Sequence, residues 1–254
     1  MEAINTYSII IGVLGGALIS FFGVFVINRR LALAADAYSH IALPGVAVAI
    51  LAGIDPTLGA LAALTIGSFV IHAIQQKTNL YTDTLIGVIF SLSLAIGLLI
   101  LPESQLESAL LGDLTTITRA DFLLGIGLTV VLLLLIIKMF RRFTFITFSE
   151  QLAQVSGVKT GAVNLLFLLG LAAAVSLGIK VTGTLLVGSL LIIPASAAQM
   201  IARNFKSLFS LATLYGVLSV VAGIALSALL HFPPGPMIIL SEGLFFCVSF
   251  LAKK

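Results

Sequence analysis

Thr6-Tyr-Ser-Ile-Ile-Ile-Gly-Val-Leu-Gly-Gly-Ala-Leu-Ile-Ser-Phe-Phe-Gly-Val-Phe-Val-Ile-Asn28 holds no charge over more than the ~20 residues a helix needs to cross a bilayer core. Uncharged runs of the same kind recur at residues 56–76, 84–102, 122–137, 160–179, 181–202 and 207–232. Two shorter or charge-bearing segments, 39–54 and 237–252, bring the expected total to about nine membrane helices. Composition agrees: 60% of the 254 residues are hydrophobic and 9% charged, against ~45–50% and ~25% in soluble domains. A membrane barrel would read as ~10-residue alternating segments, not as continuous apolar runs. The expectation is an all-α polytopic protein with residues 1–254 forming a single transmembrane domain. The first run has no basic region before it and no small-residue cleavage pattern after it, so it reads as a retained helix and not as a signal peptide.

Lysine and arginine set the expected orientation. If the segment holding Arg141, Arg142 and Lys159 faces the cytoplasm, alternation puts Arg29, Arg30, Lys77, Lys138, Arg203, Lys206, Lys253 and Lys254 on that side too. Only Arg119 and Lys180 fall outside. By the positive-inside rule the N-terminus is then outside and the C-terminus inside. The net charge of +3 is accordingly a topology signal; no basic stripe interleaved with aromatics marks a nucleic-acid partner. Glu2, Asp55, Glu103, Glu107, Asp113 and Asp121 fall on the outer side. They are either solvated loop carboxylates or a surface that concentrates cations and docks a partner.

Against this apolar background Asp36-Ala-Tyr-Ser-His40 stands apart. Groups at i and i+4 project from one helix face, so a carboxylate and an imidazole can converge on one small target such as a divalent metal. Ionised groups at membrane depth cost about 2.5–3.5 kcal/mol each on insertion scales and tend to line a pathway or pair with something. The alternative is that Asp36 caps a helix and His40 sits at the headgroup boundary.

Several chemistries are excluded. Cys247 is the only cysteine, which removes a disulfide, a cysteine zinc site and an iron–sulfur cluster. Gly-Lys occurs nowhere, so the chain has no Walker A loop, and it contains neither HExxH nor GxSxG. Gly12-Val-Leu-Gly-Gly16 fits small-residue helix packing, but with 23 glycines the match carries little weight.

Between the fifth and sixth runs lies Phe143-Thr-Phe-Ile-Thr-Phe-Ser-Glu-Gln-Leu-Ala-Gln-Val-Ser-Gly157. Thr147 and Glu150 have capping-box spacing and Gly157 suits a helix C-terminus, so a short cytoplasmic helix is expected. Leu152 and Val155 on one side of it fit either a membrane surface or a groove on a partner subunit.

Taken in order, Ala35-Asp-Ala-Tyr-Ser-His-Ile-Ala-Leu-Pro-Gly-Val-Ala47, Asp83-Thr-Leu-Ile-Gly-Val88, Leu111-Gly-Asp-Leu114, Gln151-Leu-Ala-Gln-Val-Ser-Gly-Val158 and Gly183-Thr-Leu-Leu-Val-Gly-Ser-Leu-Leu-Ile-Ile-Pro-Ala195 carry a likeness over essentially the whole chain. The chain resembles the zinc/manganese permeases, the membrane subunits of ATP-binding-cassette (ABC) metal importers, and is most similar to the zinc branch. The resemblance implies a cobalamin-importer-like, type II ABC permease that works as a homodimer in the lipid of the bacterial inner membrane. Two cytoplasmic ATPase subunits and an extracytoplasmic metal-binding protein are its implied partners. It implies no permanent cofactor; the cargo is Zn2+ first and Mn2+ second. Asp36 and His40 match the family's intramembrane ligand pair. Residues 149–157 match the coupling helix that meets the ATPase, with Ser149, Glu150, Leu152, Val155 and Gly157 as its contact or capping positions. Leu31 to Ala35 then reads as a partly re-entrant stretch that carries Asp36 deeper. Zinc permeases have a histidine on the fourth helix where this chain has Phe90-Ser91.

Of the remaining ionisable residues, Asp83 is expected to be a helix N-cap, with ion handling as the alternative, His72 an interfacial or packed histidine, and His231 part of an outer turn beside Pro233-Pro234-Gly235-Pro236, with contact to metal arriving from the binding protein as its alternative. Glu242, inside the ninth run, is protonated, paired or turned to a cavity. A rival of another class, a proton-coupled secondary metal transporter, would need no ATPase. A structural or assembly protein without transport is a third reading.

Overall fold

The computed structural model describes residues 6–78, 80–101, 110 and 117–253. The motif at residues 111–114 and the carboxylates Glu2, Glu103, Glu107 and Asp113 lie outside them. Among the described residues every regular element is helical: α1 (Thr6–Asn28), α2 (Ala32–Ile41), α3 (Leu43–Ala52), α4 (Pro56–Lys77), α5 (Thr82–Ile100), α6 (Arg119–Phe148), α7 (Glu150–Val155), α8 (Thr160–Ile201), α9 (Phe205–Leu230) and α10 (Pro234–Ala252). Eight stretches are long and apolar enough to cross a membrane, and the shorter apolar helix Leu186–Ile201 adds to them.

That shorter helix comes from a break inside α8. Gly183 has φ 78° and ψ 171°, a conformation that glycine reaches without steric cost. Across the break the chain doubles back: a Cβ placed on Gly178 would lie 2.5 Å from the Val187 side chain, a contact impossible along one straight helix. We call the two arms α8a (Thr160–Lys180) and α8b (Leu186–Ile201). They recover the two separate runs expected at 160–179 and 181–202.

The span expected from Ser39 is different. Helix begins earlier, at Ala32, and α3 restarts at Leu43 with Pro44 in its first turn. Proline lacks the N–H that would continue the ladder, which is why one crossing is built from two helices. Before it, α1 ends in a tight turn: Arg30 takes φ 58°, and the N–H groups of Arg29 and Leu31 return to the Phe25 and Val26 carbonyls. Nothing loose separates α1 from α2.

α1 is the centre of the molecule, with α8 and α9 packed along it and α10 packed on both. Close approach requires glycine. A Cβ on Gly23 would come within 1.9 Å of the Leu191 carbonyl oxygen, and one on Gly216 within 2.4 Å of the Gly16 carbonyl oxygen. The Gly12-to-Gly16 pattern therefore does mark a contact, at Gly16. Toward the Arg29 end, Phe25 is ringed by Phe21, Phe140, Phe143, Phe167 and Phe209 at centroid distances of 4.9–6.4 Å. Such edge-on and tilted pairs are each worth about 0.5–1.5 kcal/mol beyond area burial.

Two caps move from their expected places. Asp83 lies in the first turn of α5, whose N-cap is Tyr81, so it is not the cap. Thr147 donates its hydroxyl to the Phe143 carbonyl at 2.7 Å, and the cap of α7 is Ser149, whose Oγ accepts from the Leu152 N–H at 3.2 Å. A threonine hydroxyl that bonds back four residues stays in the preceding helix and cannot start the next one. Gly157 does follow the helix end with φ 80°.

Candidate functional site

Asp36 and His40 are one turn apart in α2, and the structure closes the capping alternative for Asp36. The N-cap of α2 is Leu31, with no side-chain cap bond, and Asp36 sits inside the helix. Its carboxylate is exposed and packs against Gly188 of α8b; a Cβ there would lie 3.0 Å from the Asp36 Cα and 3.1 Å from its Oδ1. His40 is only 9% exposed, its ring 5.3 Å from that of Phe90 on α5. Its Nδ1 is buried without a hydrogen-bond partner. Between them Tyr38 is fully buried, its hydroxyl 2.8 Å from Ser68 Oγ on α4, which locks the rotation of α2. Ser39 Oγ donates to the Asp36 carbonyl at 2.5 Å.

The depth of the pair follows from its neighbours. α8b runs beside α1, with Ser20 Oγ donating to the Leu190 carbonyl at 3.1 Å and Gly23 against Leu191. Gly188 is thus level with the middle of α1, and Asp36 lies at that level. The pair offers a hard oxygen donor and a borderline nitrogen donor one helical turn apart, the nitrogen without a hydrogen-bond partner. Among the described residues no cluster of three or more His, Cys, Asp or Glu side chains is placed to hold a metal.

At one end of the bundle Lys180, at the end of α8a, bonds Asp55 Oδ2 at 2.6 Å and also pairs with Asp121. Asp55 also caps α4, accepting from the Thr57 N–H at 2.8 Å, and Asp121 forms a capping box with Thr118. Two of the carboxylates read as a possible outer cation surface are therefore internally paired. These three charges share one end of the molecule, as the charge alternation requires.

At the other end lies α7. Leu152 and Val155 are 62% and 89% exposed, while Ala153 is buried against the bundle. Glu150 accepts from Asn164 Nδ2 at 2.9 Å, and Asn164 Oδ1 accepts from Arg29 Nη2 at 2.5 Å. Burial pulls the Arg29 guanidinium below its ordinary pKa, and the neighbouring Glu150 carboxylate pushes it back up.

The other singled-out residues do not join the Asp36–His40 site. His72 Nε2 is 2.7 Å from Gln76 Nε2 on its own helix, and His231 takes φ 59° as the C-cap of α9, in a turn as expected. Glu242 is 1% exposed in α10, its carboxylate beside the Ser189 hydroxyl of α8b. Gly188, Tyr38 and the Arg29–Asn164–Glu150 chain were not foreseen; for Gly188 the one available signal was the glycine spacing in Gly183-Thr-Leu-Leu-Val-Gly188.

The model of the ABC 3 transport family matches residues 2–253. The chain belongs to that family. As an ABC 3 chain it is 31% identical over 247 residues to the manganese import system permease protein ScaB of Streptococcus gordonii, covering 96% of this chain and 87% of ScaB. The high-affinity zinc uptake system membrane protein ZnuB of Haemophilus influenzae is 30% identical over 253 residues, covering 97% of each. Among solved structures, PsaBC from Streptococcus pneumoniae in complex with Fab matches with a TM-score of 0.85 at 28% identity, over 96% of this chain and 89% of that one. This ABC 3 chain is a membrane permease subunit, and ATP hydrolysis belongs to a separate subunit.

Proposed function

We propose that the chain is the permease of an ABC importer that carries a divalent transition metal inward through the Asp36–His40 site. The observation that carries this is the pair itself: a solvent-accessible carboxylate and an orphaned imidazole nitrogen on one face of α2 at mid-membrane. Two copies related by a dimer axis would offer two oxygens and two nitrogens, enough for a transient four-coordinate site suited to zinc. Manganese is the second reading, and one contact favours it. Where zinc permeases place a histidine, Phe90 packs on His40, so α5 adds no nitrogen ligand; fewer nitrogen and more oxygen donors suit manganese. The chain spans a bacterial cytoplasmic membrane with its N-terminus outside. α7 docks into an ATPase groove through Leu152 and Val155, with Ser149 capping it and Gly157 turning the chain back. An extracytoplasmic metal-binding protein delivers the ion to the Lys180 side.

The test is reconstitution with the cognate ATPase in liposomes, with radiolabelled Zn2+ and Mn2+ in competition. ATP-dependent uptake of one or both is expected, with Leu152→Asp in α7 removing both the co-purified ATPase and the uptake, because an unpaired charge forced into an interface costs about 3–5 kcal/mol. Uptake by the permease alone, driven by a pH gradient, would establish the secondary-transporter reading in its place.

A further inference from the structure

The Arg29–Asn164–Glu150 chain joins three elements that the sequence keeps far apart. Arg29 and Asn164 are separated by 135 positions, and Asn164 reaches Glu150 across the hinge between α7 and α8a. Its polarity is dictated by chemistry. A guanidinium only donates and a carboxylate only accepts, so the Asn164 amide must turn Oδ1 to Arg29 and Nδ2 to Glu150. No other residue type of this size satisfies both neighbours. Arg29 is held a second time, its guanidinium 4.6 Å from the centroid of the Phe167 ring, one turn along α8a from Asn164. Phe167 is itself 1% exposed inside the phenylalanine cluster.

What makes this more than a fastening is where Arg29 sits. Its own N–H closes α1 on the Phe25 carbonyl, Arg30 takes the left-handed conformation, and the N–H of Leu31 closes on Val26. The N–H of Ala35 then bonds the Leu31 carbonyl, and helix runs on through Asp36 to His40. The turn closes through the N–H groups of Arg29, Arg30 and Leu31 and α2 starts at once at Ala32, so a displacement of Arg29 has no loop in which to dissipate before the metal pair. We propose that Asn164 is a positioning residue that couples α7 to α2: movement of α7 on its ATPase reaches Asp36 and His40 through Glu150, Asn164, Arg29 and the 28–31 turn. This rests on the reading of α7 as the ATPase contact. Asn164 acts through its two neighbours, Arg29 and Glu150.

The experiment uses the full permease–ATPase complex in liposomes and reads ATP hydrolysed per Mn2+ or Zn2+ ion transported. Asn164→Leu removes both contacts at nearly constant size. Asn164→Asp keeps the bond from Arg29 but sets a carboxylate against Glu150. Each is expected to keep the ATPase bound and hydrolysing while the ATP-per-ion ratio rises about tenfold, the scale of one lost hydrogen bond to a charged group. Combining Asn164→Asp with Glu150→Gln restores the second link with its donor reversed, and the ratio is expected to return to within about twofold of the parent. A merely structural role would not give that rescue. An unchanged ratio in Asn164→Asp, or a double variant as uncoupled as the single one, overturns the proposal, and Asn164→Asp decides the matter if Asn164→Leu fails to assemble. Leu152→Asp in the same preparation reports separately on α7: if it retains ATPase and transport, the docking reading fails whatever the Asn164 variants do.

Discussion

α1 and α5 are nearly equal as text, both about one membrane thickness long and both uncharged apart from Asp83 in the first turn of α5, yet they end in opposite roles. α1 buries thirteen residues, from Ser8 to Val26, under α8 and α9, whereas α5 buries Leu85, Ile86 and Gly97. The difference lies in the small residues. Within a bilayer lipid tails are as apolar as leucine, so helices associate where glycine lets backbones touch. α1 has such contacts at Gly16 and Gly23; α5 presents leucines, with Leu99 87% exposed. The proposed metal pair sits on the seam between these regimes, with Asp36 against tightly packed α8b and His40 against Phe90 of loosely held α5. One member of the pair is thus placed against the closely packed half and the other against a helix that buries few of its residues.

The contrast breaks most visibly at Gly23. A side chain there meets the Leu191 carbonyl oxygen at 1.9 Å, and backbone cannot rotate away as a flexible side chain can. Gly23→Val should therefore cost more than the usual 1–3 kcal/mol of overpacking and leave little folded permease in detergent, read by size-exclusion profile and membrane yield. A monodisperse Gly23→Val protein at normal yield would show that α1 is not the packing centre. A smaller loss is expected at Lys180→Met, which leaves Asp55 and Asp121 facing each other. Breaking a buried pair costs about 3–5 kcal/mol, and partial exposure of all three groups brings this to about 1–3 kcal/mol. Thermal unfolding in detergent measures it, and adding Asp121→Asn should recover part of the loss. Smallest is Leu92→Ala on the open face of α5, expected to stay within about 0.5 kcal/mol because the side chain is 60% exposed and little packing is lost. A loss as large as that at Lys180 would mean that α5 is covered by protein in the membrane.

Much of this was readable from the sequence for a physical reason: a span announces itself by local length and polarity alone. The helical class, most of the spans, the Asp36–His40 spacing and the short helix near residue 150 all depend on residues within a turn or two of each other. What was not readable depends on pairs. Lys180 finds Asp55 across 125 positions, and Asn164 finds Arg29 across 135. Gly188 is needed only because α2 comes to lie on it. The misplaced caps at Asp83 and Thr147 are a different failure. In both cases the residue type suited a cap, but the preceding backbone had already chosen a different first residue. The early start of α2 at Ala32 escaped notice because Leu31 caps without a polar side chain.

The central claim is that Asp36 and His40 hold the transported ion together at mid-membrane. It is tested most directly by metal uptake through Asp36→Asn and His40→Ala complexes, each compared with the parent at equal membrane level and equal ATPase content. Neither substitution forces a side chain into neighbouring backbone as Gly23→Val does, and His40→Ala gives up the ring contact with Phe90 without a clash, so both proteins should insert and assemble. Uptake is predicted to fall at least about a hundredfold in each, with the double variant no worse than either single one, as expected of two groups that act as a unit on one ion. Uptake near the parental rate in either well-assembled variant would contradict the account and leave the pair as an ordinary exposed carboxylate and a packed histidine.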